Sequence, residues 1–128
     1  MSFYLAKTIS MPFDRALEKV VGELKKEGFG IITEIDVAKT MKEKLDIAFQ
    51  RYLILGVCNP GLAHKALEID DKVGLMLPCN VIVQELAEHV TEVAAIDPRA
   101  TVGAVGNPAL EDVAKQIGIK LENVIGHV

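Results

Sequence analysis

The chain has 128 residues, of which half are apolar, and its 14 Lys plus Arg against 18 Asp plus Glu give a formal net charge of −4. That length makes one domain spanning 1–128 with enough apolar residues to fill a core; the composition excludes intrinsic disorder, and two cysteines exclude a disulfide scaffold. An acidic chain with four Phe, two Tyr and no Trp is poorly suited to nucleic acid, and no apolar run approaches the ~18–20 residues of a membrane span, so neither partner is expected.

Phe3 to Ile9 reads as a first strand, and Ser10-Met11-Pro12 opens a helix, since proline is tolerated in a first turn. Phe13, Ala16, Leu17, Val20, Val21 and Leu24 recur at helical spacing as one core stripe, and Gly28 stops the helix. Ile31, Thr33, Ile35 and Val37 alternate with Ile32, Glu34 and Asp36, the pattern of a half-buried strand. Asp36 then caps a short helix with Val37, Met41 and Leu45 on one face and Lys39, Lys42 and Glu43 on the other.

Tyr52 to Cys58 is almost continuously apolar, which predicts a strand buried on both faces. Asn59-Pro60 starts a helix that runs to about Asp70. Val73 to Leu86 is a long apolar stretch interrupted at Pro78-Cys79-Asn80, and Thr91 to Ile96 returns after a turn at Ala87-Glu88-His89. Asn107-Pro108 opens a last helix that turns Leu110, Val113, Ala114 and Ile117 inward, with Gly118 as its stop. Leu121, Val124 and Ile125 add a further helical turn. The order is β-α-β-α-β-α-β-β-α, an α+β fold with a curved mixed sheet packed on helices.

The chemistry-bearing residues concentrate in two Cys-Asn pairs, Cys58-Asn59 and Cys79-Asn80, each where an apolar run meets proline. If Asn59 caps the helix begun by Pro60, Cys58 sits beside the positive end of a helix dipole, where a thiolate is favoured. Free cysteines are also among the most buried of residues, so an inert core thiol is the competing reading. Pro78 marks an edge, break or bulge that could aim Cys79 and Asn80 away from the regular alternation; Asn80 would then meet a small ligand, or satisfy the freed backbone. His64 lies one turn into the helix after Cys58, as a base toward that thiol or as an ordinary surface histidine. No C-x-x-C pair exists to build a four-ligand zinc site, and Gly103-Ala104-Val105-Gly106 is not a phosphate loop.

Three blocks stand in order along the chain: Gly-Phe-Gly-Ile-Ile-Thr-Glu-Ile-Asp-Val at 28 to 37, Leu-Gly-Val-Cys-Asn-Pro at 55 to 60, and Gly-Leu-Met-Leu-Pro-Cys-Asn-Val at 74 to 81. With these the chain resembles domain-of-unknown-function family 302 over essentially its whole length. The resemblance implies a compact prokaryotic α+β domain, in a fold class like that of the TATA-box-binding protein, whose sheet curves around a helix. It implies no activity, cofactor or catalytic residue. The sequence departs from the expected pattern at Asp46-Ile47-Ala48-Phe49, where a glycine-containing linker is anticipated.

Three functional readings follow. The first is a cytoplasmic binding module holding a small polar or sulfur-containing ligand, or a soft metal ion, in a pocket edged by Cys58, Asn59, Cys79 and Asn80, with His64 nearby. The second is a thiol-dependent enzyme or redox protein using Cys58. The third is a structural or protein-interaction domain with inert core cysteines. High apolar content with few aromatics leaves surface to bury against a second copy, so a homodimer is expected throughout. The ligand, any cofactor and any reaction stay open.

Overall fold

The computed structural model describes residues 2–128. Strand β1 (Tyr4–Ile9) leads to helix α1 (Phe13–Lys26), strand β2 (Gly30–Asp36) to helix α2 (Val37–Leu45), and strand β3 (Tyr52–Cys58) to helix α3 (Pro60–Ile69). A 3-10 turn at Asp71–Met76 precedes the hairpin of β4 (Cys79–Ala87) and β5 (Val90–Ile96). Helix α4 (Pro98–Val102), a second 3-10 turn (Gly103–Val105) and helix α5 (Pro108–His127) complete the chain. Among the described residues no helix is long and apolar enough to cross a membrane.

The five strands form one sheet in the order β1-β5-β4-β3-β2, with β4 in the middle. Every neighbouring pair is antiparallel, so the sheet is not mixed as the sequence suggested. The reason lies in the connections: β1 and β2 end up on opposite edges and never pair, while the later strands join as neighbours running in opposite directions.

The helices pack on one face. Phe13, Ala16, Val20 and Leu24 of α1, and Leu110, Val113, Leu121 and Val124 of α5, are buried against Leu53, Leu55 and Val57 of β3, Val81 and Val83 of β4 and Val93 and Ala95 of β5. This is the α1 stripe expected from its spacing. Gly28 (φ 83°) ends the helix as predicted, its left-handed backbone letting Phe29 N–H reach back to Leu24 O at 3.0 Å.

Three local expectations change. Ile32 is an extra residue between the pairs Ile31↔Val57 and Thr33↔Gly56, a bulge that sends Ile31 to the helix side and Thr33 and Ile35 to the other. Helix α2 buries none of its residues, so Val37, Met41 and Leu45 are not a core stripe, and Leu45 is 63% exposed. Gly118 does not stop α5, which continues unbroken to His127. A Cβ at Gly118 would lie 2.6 Å from Arg99 Nε, because the Arg99 side chain crosses the helix there.

Candidate functional site

The two cysteines are close along the sheet but differently placed. Val57 pairs with Cys79, so Cys58 and Cys79 are diagonal neighbours on β3 and β4. Strand alternation turns them to opposite sides. Cys79 faces the helices, is buried, and lines a small cavity of about 40 Å3 with Met76, Thr101 and aliphatic neighbours. Burial, with a smaller contribution from Cys58, pushes its thiol up to about 11, which disfavours a thiolate at neutral pH. Such a cavity has room for a water molecule and none for an organic ligand. Cys58 is half-buried at the end of β3. Pro78 does not interrupt a strand: Cys79 is the first residue of β4.

The carboxamides also divide. Asn59 is the N-cap of α3, its Oδ1 accepting from Leu62 N–H at 3.3 Å while its Nδ2 donates to Glu27 O at 3.4 Å. It therefore ties the start of α3 to the end of α1, the cap foreseen from Asn-Pro with an added tether. Asn80 is exposed on the opposite side of β4 from Cys79. His64 lies on the solvent face of α3, its Nε2 2.8 Å from Glu68 Oε1 across one helical turn. The expected common hollow around both sulfurs and both carboxamides does not form, because strand alternation and helix capping send these side chains in different directions. Among the described residues no three His, Cys, Asp or Glu side chains gather to hold a metal ion.

The feature that the residue-by-residue search missed is the sheet face away from the helices. Its middle row runs through direct pairs from edge to edge: Ile35, Ile54, Ile82, Ala94, Ala6. A second row is Tyr52, Gln84, Glu92 and Thr8, and a third is Thr33, Gly56, Asn80, Ile96 and Tyr4. These rows contain no Lys or Arg and one carboxylate. Ile35 remains 49% exposed and Tyr4 48%, while Ile54 and Ile82 are half-buried. Over β4, β5 and β1 the face dips into a hollow of about 350 Å3, lined by Phe3, Tyr4, Tyr52, Asn80, Ile82, Glu92 and Ala94 among others. Glu92 Oε1 accepts from Gln84 Nε2 at 2.8 Å, and Gln84 Oε1 accepts from Gln50 Nε2 at 2.9 Å. The signal in the sequence was the unbroken apolar run of β3, whose outer residues have no helix above them.

The architecture is that of a one-layer antiparallel sheet backed by helices on a single side, with the other side open. The chain belongs to the family described as Domain of unknown function DUF302, whose model matches residues 5–128. It is similar to the crystal structure of the uncharacterized conserved protein DUF302 from Bacillus stearothermophilus, with a TM-score of 0.90, 29% identity, and coverage of 99% of this chain and 98% of that one. No curated protein matches.

Proposed function

We propose that this domain is a self-association module whose open sheet face packs on the same face of a second copy. The observation that supports this is the middle row, which has large residues on one side of the central strand and small ones on the other. Rotation by a half-turn about an axis along β4 lays Ile82 on its own copy, brings Ile54 over the partner subunit's Ala94, and brings Ile35 over the partner subunit's Ala6. Large meets small at the positions flanking Ile82 on both sides, the complementarity that close packing requires. In the second row the same operation sets the Tyr52 hydroxyl, a donor, opposite the partner subunit's Glu92.

Area is consistent with this pairing. Strands about 4.8 Å apart, rising about 3.4 Å per residue, give five strands of about six residues a footprint of roughly 24 by 20 Å. Side-chain relief and the marginal rings of Phe3 and Phe49 carry this toward the roughly 800 Å2 per partner of a stable interface. One carboxylate and no basic side chain on the rows suit a like surface and fit nucleic acid poorly.

The test is the solution mass by light scattering at tens of micromolar. Wild type is expected at twice the chain mass. Ile54→Asn places an unpaired carboxamide against the partner's alanine twice per dimer, at about 1–3 kcal/mol each on top of the lost burial. Dimer affinity is expected to fall at least about hundredfold, which is about 3 kcal/mol. A wild-type protein that is monomeric at these concentrations contradicts the proposal.

A further inference from the structure

We infer that the hollow over β5 is a binding site for a small organic cation carrying an aromatic or aliphatic arm, with Glu92 as its counter-charge. Glu92 is half-buried in the hollow, yet makes no ion pair among the described residues. Its Oε1 is engaged by Gln84, which is itself held by Gln50, so the carboxylate is oriented and Oε2 takes no protein donor among the described residues. A carboxylate held in a fixed orientation with one oxygen free offers a bound ammonium a charge-assisted hydrogen bond.

The walls suit the rest of such a ligand. Phe3 and Tyr4 stand edge to face, ring centres 4.9 Å apart, at one end, and Tyr52 stands at the other. Aromatic faces attract an alkylammonium group as well as its apolar arm. Asn80 offers a carboxamide to orient a polar substituent. The hollow, at about 350 Å3, falls within the usual range of small-molecule sites, about 300–1,000 Å3.

The site has a consequence that rests on the self-association proposed above. The partner subunit's Ile54 descends over Ala94, which lines this hollow, so the cation and the second copy compete for one place. An amine then shifts the protein toward monomer.

Phenethylamine serves as the probe and 2-phenylethanol as its neutral counterpart, with calorimetry at pH 7 on the full chain. Ile54→Asn, which removes the competing copy and does not line the hollow, is expected to bind the amine about tenfold or more tighter than the alcohol. Adding Glu92→Gln is expected to abolish that preference. Equal binding of amine and alcohol, or a preference that survives Glu92→Gln, overturns the site. In wild type the amine is expected to lower the light-scattering mass. Amine binding with no change in a dimeric mass overturns the competition while the site stands. A monomeric mass without any amine overturns self-association and leaves the calorimetric result to decide the site.

Discussion

Cys79 and Cys58 show how far placement separates two residues that each stand before an asparagine. The native state holds the Cys79 proton more tightly than the unfolded chain does, because its thiol is pushed from an ordinary value of 9.0 to about 11 mainly by burial. Stability is then full below pH 9 and declines as the pH rises from about 9 to about 11, by on the order of 2–3 kcal/mol. Urea melts across that interval check this, and Cys79→Ala should flatten the decline while costing some packing. Alkylation at pH 8 should modify Cys58 first, with Cys79 protected until the fold opens; equal rates would show that the core around Cys79 is not closed. At Asn59 the sequence was informative, since Asn followed by Pro is a helix start with a physical cause. Its second bond, to Glu27 O, joins residues 32 apart in the chain, and no local pattern carries that. Asn59→Ala should cost about 1 kcal/mol or somewhat more of unfolding free energy, measured by denaturant.

Elements defined by their own periodicity were the legible ones. The α1 stripe, the stop at Gly28, the Asp36 and Asn59 caps and the β4–β5 return all follow from short-range rules. The failures came where a distant partner decides. Nothing local reveals that the extra residue in β2 is Ile32, because a bulge is defined by the opposite strand. Gly118 looks like a helix stop, yet it is glycine because Arg99 crosses α5 there, fastened to buried Asp97 at 2.9 Å and to Glu122 at 3.0 Å. Alanine would ordinarily gain about 1 kcal/mol of helix propensity at such a position. Here Gly118→Ala must displace an anchored side chain, so a net loss of about 1–2 kcal/mol in thermal or denaturant unfolding is expected. Unchanged or raised stability would mean that Arg99 moves aside freely.

At the level of the whole molecule, the reading of β3 as a strand buried on both faces and the open face of the sheet are one observation. Leu53, Leu55 and Val57 meet the helices, while Ile54 projects to the side where the single chain supplies no cover. The apolar run predicted cover on both faces, the single chain covers only the helix side, and in the proposed pair the second copy covers the other. The candidate site was accordingly illegible from motifs: its members are an isoleucine row, two tyrosines and one glutamate spread over five strands, and only Asn80 had been singled out. The central strand provides the most direct measurement. In a Cys58→Ser background, Ile82→Cys should cross-link to its own copy with a short bis-maleimide that spans about 10 Å, because the half-turn about β4 sets position 82 opposite itself across two sheets packed about 10 Å apart. Ala6→Cys should not, since four strand spacings of about 4.8 Å separate the two copies of position 6. Efficient cross-linking at 82 and none at 6 is the expected result; cross-linking at 6 with none at 82 would contradict the proposed face and its symmetry.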